Sequence, residues 1–105
     1  MELHRFPPLT GPYGLHKSAP LNLNVSEAVA GLCHWARGTR SPEAGLRASA
    51  RHEIAYVVRG SLDVETASGI TQVQAGDFIT MSPALPHACT ALEDCDVFFV
   101  LLDPT

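Results

Sequence analysis

Short apolar stretches alternate with turn-forming residues along most of this chain, and hardly any segment sustains a helical period. "EIAYVV" is rich in β-branched and aromatic residues and closes at Arg59-Gly60, which predicts a strand. "SLDVET" alternates with period two, "ASG" turns, and "ITQVQ" alternates again, the pattern of a hairpin. "AGDFITMS" predicts a further strand, "PALP" a proline-braced turn, "HACTAL" a strand, "EDCD" a turn and "VFFVLL" a last strand. In "LNLNVSEAVAGLCHWA" the "SEA" allows one helical turn, but Gly31 interrupts it and no amphipathic helix follows. "RGTRSPEAGLRASAR" is polar and reads as a loop.

Two ends of the chain add to this. Residues 1–20 hold Pro7, Pro8, Pro12 and Pro20 with Gly11 and Gly14, which excludes a helix and predicts an extended arm. The domain proper is then residues 21–105, with no internal repeat. "VFFVLL" is apolar on both faces, whereas a strand with one face in water alternates. Its outer face therefore needs a cover, either the arm or a second subunit, and a two-fold homodimer is the expected assembly. Many short strands with regular turns indicate an all-β antiparallel sandwich or barrel.

Composition narrows the partners. At 105 residues, with 46% apolar and 17% charged, the chain suits a single folded domain with one core. A formal charge of −4 argues against nucleic acid, which needs a basic footprint. "MELHRFPPLT" has no apolar signal-peptide core and no run reaches membrane-spanning length, so no membrane role is expected and the expected compartment is the cytoplasm. Cys33, Cys89 and Cys95 are odd in number and lack CxxC spacing, which fits reduced thiols.

The strands and turns just quoted carry a resemblance to the cupin superfamily. That family has a first motif of Gly, five residues, His-x-His, three or four residues, Glu, six residues, Gly. Its second motif runs Gly, five residues, Pro-x-Gly, two residues, His, three residues, Asn. Glu53 followed by six residues and Gly60 matches the end of the first motif, and Gly76 to His87 has the second motif's separation. "AGDFITMSPALPH" is similar to the second motif's strand and turn, and the resemblance spans roughly residues 30–102. It implies a small antiparallel jelly-roll β-barrel, RmlC-like in architecture. In typical members three histidines and the glutamate hold one divalent metal, such as Fe, Mn, Ni or Zn.

The departures from the motif bear on function. Counted back from Glu53, the two family histidines fall on Arg47 and Ser49, or on Leu46 and Ala48. Gly38 lies too far upstream for the motif-opening glycine, Pro83 is one place late, the motif-two glycine is absent, and Ala91 takes the Asn position. Two of four ligand positions, Glu53 and His87, are retained, so any divalent metal is expected to be weakly bound or absent. Three residues are candidates to complete the set. His52 neighbours Glu53 but alternation puts it on the opposite face. His34 lies on an earlier strand whose inward face the sequence leaves open. Cys89 should share the face of His87, and a thiolate suits a softer metal.

The arginines offer another partner for the carboxylate that opens "EIAYVV". Arg51 stands two residues before Glu53 and shares its face if the strand reaches that far, so the two are expected to pair at the barrel mouth. Arg47 has the same parity, and a guanidinium fork there could grip an anion; alternatively "RASAR" is a solvated loop. Trp35, Tyr56, Phe78, Phe98 and Phe99 read as core or interface packing. The expected function is binding of a small polar or anionic molecule by Arg47, Arg51, Glu53 and His87. The alternatives are a cupin enzyme, either a metal-dependent dioxygenase or isomerase or a metal-free sugar epimerase with His87 and Glu53 as catalytic candidates, and a ligand-sensing module acting through a partner.

Overall fold

The computed structural model describes residues 1–105 and contains strands but no helix. In chain order the strands are β1 (Glu2–His4), β2 (Val25–Trp35), β3 (Arg40–Ser41), β4 (His52–Arg59), β5 (Ser61–Thr66), β6 (Gly69–Gln74), β7 (Phe78–Met81), β8 (Ala88–Ala91) and β9 (Cys95–Pro104). They form a five-stranded sheet in the order β1-β7-β4-β9-β2 and a four-stranded sheet in the order β3-β8-β5-β6, with antiparallel pairing throughout. Apart from β1–β2 and the β5–β6 pair, consecutive strands cross between the sheets, and the two sheets close on each other as a jelly-roll barrel.

The period-two segments fold as their pattern requires. "SLDVET" and "GITQVQ" make the β5–β6 hairpin, with Leu62 and Val64 turned inward beside Val73. Inward residues of β4, Ala55 and Val57, meet Ile79 of β7 and Val97 of β9 in the same core. Gly60 joins β4 to β5 at φ +82, and a Cβ there would collide with the carbonyl of Asp94. The glycine that ends the first motif thus permits both the turn and the close approach of a neighbouring loop.

Three parts of the sequence reading change. The "SEA" stretch is strand, because β2 pairs with β9 along most of its length and that ladder overrides the local helical tendency. The polar stretch from Arg37 to Arg51 is more than a loop: β3 pairs with β8, and Arg47 forms a two-way backbone bridge with His87 at 3.0 and 3.1 Å. The arm is fastened at its start, where β1 becomes the edge strand beside β7. Arg5 donates two hydrogen bonds to buried Asp77, at 2.9 and 2.7 Å, and His4 stacks on Phe78 at 4.3 Å.

The last strand, β9, lies between β4 and β2. Val97, Phe99 and Leu101 point inward, so Phe98, Val100 and Leu102 point out. Outside, Leu32, Phe98 and Tyr56 lie side by side across β2, β9 and β4, and they remain 69%, 43% and 41% exposed. The arm does not cover them. Its Phe6 packs on Phe78, two strands away from β9, and Leu9, Tyr13 and Leu15 are themselves exposed.

Candidate functional site

The largest fully buried side chains, Val57, Val64, Val73 and Cys95, pack the core, and a cavity of about 280 Å³ lies inside the barrel. Its inner wall is apolar: Val57, Leu62, Val73 and Val97 at the base, then Ala55, Ile79, Phe99, Trp35 and Cys33. Phe99 lies over Gly31, where any Cβ would strike its ring at 2.5 Å. Polar groups gather towards the other end, namely Ser41, Arg47, Ser49, Arg51, Glu53, Ser82 and His87.

Each of these side chains is positioned by a specific ladder. Glu53 stands on β4 between Met81 of β7 and Leu101 of β9, in register with both, which turns its carboxyl inward. No protein hydrogen bond or ion pair reaches that carboxyl within the geometry of the other pairs. Burial raises its pKa above the ordinary carboxylate value, and the nearby His87 only partly offsets this. His87 is fixed by its own backbone bridge to Arg47 and by its ring, whose Nδ1 lies 2.9 Å from the Leu85 carbonyl. A carbonyl accepts only, so Nδ1 carries the proton, and Nε2 is left without a protein partner.

Arg47 reaches the cavity wall with one side-chain hydrogen bond, from Nη2 to Ser41 Oγ at 3.2 Å, and has no acidic partner. Ser49 carries two constraints: its carbonyl accepts from Ala84 N at 2.7 Å and its hydroxyl accepts from Arg51 N at 3.1 Å. These contacts zip residues 47–49 against the "PALP" turn, whose Ala84 sits at φ +65. The backbone of Arg47 and Ser49 is thus held in place, while residues 47–50 remain exposed.

The expected pairing of Arg51 with Glu53 is not formed. Arg51 instead bonds Asp103 at the end of β9, Nε to Oδ1 at 2.8 Å. Strand β4 begins at His52, so Arg51 lies outside the ladder that fixes Glu53, and it swings to the carboxylate that β9 brings alongside. Both residues still line the cavity, but as separate groups.

The proposed extra metal ligands fare differently. His34 lies on the outer face, its Nδ1 2.7 Å from Asp96, which also accepts from Arg59 at 2.9 Å. His52 alternates away from Glu53 and does not line the barrel cavity. Cys89 does line it, beside His87 as parity required. Burial, together with the Glu53 charge, pushes its pKa up to about 12, so in the metal-free barrel it is a neutral thiol. Arg47 and Ser49, one pair of residues that could stand where the family's first two histidines would, both line the cavity, as does Ala48 but not Leu46 of the alternative pair, and none of them ligates metal well. No three His, Cys, Asp or Glu side chains come together as a metal site. The residues present do not fit the four-ligand metal centre that the resemblance implies.

Asp77 and Asp103 were not singled out in the sequence as functional or structural partners. Nothing local marks them, because each meets its arginine through strand register (Asp103) or through the returning arm (Asp77).

No helix in the structure is long and apolar enough to cross a membrane. No protein-family model matches the sequence, and no curated protein matches it either. Solved structures do match. A conserved protein of unknown function from Streptococcus pyogenes aligns with a TM-score of 0.66 at 19% identity, over 76% of this chain and 68% of that one. A putative ethanolamine utilization protein from Salmonella typhimurium aligns at 0.64 and 18% identity, over 76% of this chain and 61% of its own length. An RmlC-like cupin from Shewanella frigidimarina aligns at 0.63 and 21% identity, over 75% and 68%. The chain spans less than two thirds of the Salmonella protein, and at these identities the likeness concerns fold alone. The sheet order, the strand registers and these alignments agree: this chain has the cupin fold, an RmlC-like jelly-roll β-barrel.

Proposed function

We propose that this protein binds a small polar or anionic molecule inside its barrel. The supporting observation is the cavity itself, whose polar end combines Arg47 without an acidic partner, Glu53 without a hydrogen-bond partner, and His87 with its Nε2 free. No side-chain nitrogen or oxygen is sealed off without a partner, so these groups are open to solvent through the cavity mouth, and polar groups converging on such a pocket suit a ligand. Trp35, the single tryptophan, lines the same space and serves as the reporter. Titrating a panel of small acids, polyols and amines while following Trp35 fluorescence tests the reading. Ala55→Leu, which fills the cavity from β4, should abolish the response; a response unchanged by it would place binding elsewhere.

A second reading, proton transfer on the bound molecule, draws on His87 and Glu53. The Leu85 carbonyl holds His87 in the tautomer whose Nε2 is a base, and burial favours the protonated form of Glu53. Exchange of deuterium into a bound ligand, lost in His87→Gln, would support it.

Assembly as a homodimer is proposed for the face formed by Leu32, Phe98 and Tyr56, which the arm leaves open. Light scattering at low micromolar concentration should give twice the mass of 11.2 kDa, and Phe98→Lys should return the monomer.

A further inference from the structure

The arginines of this chain are not equivalent. Of the six, Arg5, Arg40, Arg51 and Arg59 each hold an acidic partner, namely Asp77, Glu65, Asp103 and Asp96. Arg37 and Arg47 hold none, and of these two only Arg47 lines the cavity. A guanidinium has five N–H donors in a rigid fork. Arg47 spends one of them, on Ser41 Oγ. Its backbone is locked to His87 in both directions, which fixes the base of this exposed side chain at the mouth.

Charge and shape then select the ligand. Arg51 is balanced by Asp103, which leaves Arg47 as the one uncompensated cation on the wall. One such cation suits a monoanion better than a dianionic phosphate, which would call for a second. Beyond the mouth the wall offers hydrocarbon: Trp35, Phe99, Leu62 and Val73 have no hydrogen-bonding group suited to a sugar's several hydroxyls, apart from the Trp35 N–H, and that is already donated to Cys33 Sγ at 3.2 Å. The space, about 280 Å³, is at or below the small end of the ~300–1,000 Å³ typical of ligand pockets. Glu53 belongs to the five-stranded sheet and Arg47 is tied to the segment entering β8 of the other, so an anion can reach the arginine from the opposite wall.

We infer that the ligand is a small amphipathic monocarboxylic acid, its carboxylate on the Arg47 fork at the mouth and its apolar body in the pocket beside Trp35 and Phe99. This rests on the barrel-binding proposal above and narrows it to one chemical class.

Hexanoate and hexanamide are matched in size and differ in charge, and acetate keeps the charge without the body. Both longer probes are transparent where Trp35 is read. Trp35 fluorescence titrations should show hexanoate binding about tenfold or more tighter than hexanamide, since a charge-assisted pair is worth more than a neutral one. Acetate should bind more weakly than hexanoate. Arg47→Gln should erase the preference for hexanoate while leaving hexanamide within about twofold, and Arg47→Lys should recover part of it. Arg47 is exposed, so circular dichroism should confirm an intact fold in both variants. Equal binding of the acid and the amide, or full hexanoate affinity in Arg47→Gln, would overturn the inference. If those probes bind equally and Ala55→Leu abolishes both, the barrel-binding proposal stands and only the acid class fails. Silence from all three probes overturns the acid class, and silence from the wider panel as well overturns both.

Discussion

Two inward-facing carboxylates separate the arm anchor from the barrel mouth. Asp77, at the start of β7, is 2% exposed and fully answered: the Arg5 fork donates to both its oxygens and the Gln74 amide donates to Oδ2 at 2.9 Å. Those bonds, the Arg5 fork foremost, hold its pKa below the ordinary value despite burial. Glu53 faces the cavity with no such partner, and burial pushes its pKa up. The same functional group is a rivet in one place and an open position in the other. A carboxylate whose two oxygens are both engaged by the protein contributes to the fold. One left open towards a cavity costs stability, and the cavity beside it is the natural place to look for a ligand.

The sharpest way to break this contrast is to delete the rivet. Asp77→Ala should cost about 1.5–3 kcal/mol, the worth of hydrogen bonds to a charged group, and lower the thermal midpoint by roughly 6–24 °C. A melt within two or three degrees of the parent (~0.5 kcal/mol or less) would mean the arm anchor is dispensable.

The pH profile should show both carboxylates, with opposite signs. Asp77 has its folded pKa below 3.8, so its stabilisation is present above that value and is lost as pH falls through the folded pKa. Glu53 has its folded pKa above 4.5, so the folded state holds the extra proton and stability declines as pH rises from 4.5 through the folded value. Glu53→Gln should remove this second decline and make the protein more stable than the parent at pH 7. Denaturant midpoints between pH 3 and 8 (a range of ~5 units around these pKa values) give the test, and a parent-like slope in Glu53→Gln would show that another group titrates there.

Smaller effects are expected at the mouth. Arg51→Ala breaks a partly exposed pair with Asp103 and should cost about 0–1 kcal/mol, well short of the ~3–5 kcal/mol for breaking a buried pair. A larger loss would mean that Arg51 also supports Glu53. Arg47→Ala should lie within about 0.5 kcal/mol of the parent, as expected for an exposed side chain whose contacts are few. A clear destabilisation would make Arg47 a structural residue and remove the contrast between its role and that of Arg5.

Several elements were legible without coordinates because they depend on local pattern. The β5–β6 hairpin follows from period-two alternation around "ASG", and the inward turn of Glu53 and the outward turn of His52 follow from strand parity. Cys89 sharing the face of His87 is the same rule applied two residues on. The failure of the first motif was legible as well, since Arg47 and Ser49 stand where histidines would and the structure brings both to the cavity.

Long-range pairing escaped that rule. The "SEA" stretch became strand because β9 offered it a ladder, and His34 turned outward because its register with Asp96 fell on that face. Arg51 took Asp103 in place of Glu53, and Arg5 reached Asp77 across most of the chain. Alternation within a strand is fixed by bond geometry and so belongs to the sequence by itself: the all-β fold class, the hairpin, and the side of the barrel that each residue of β4 faces. Which strand lies beside which, and therefore which charge meets which, is settled only when the sheets close, because register between distant strands is a sum over the whole packed core. For this protein that sum compensated Arg5 and Arg51 and left Arg47, Glu53 and His87 open to the cavity.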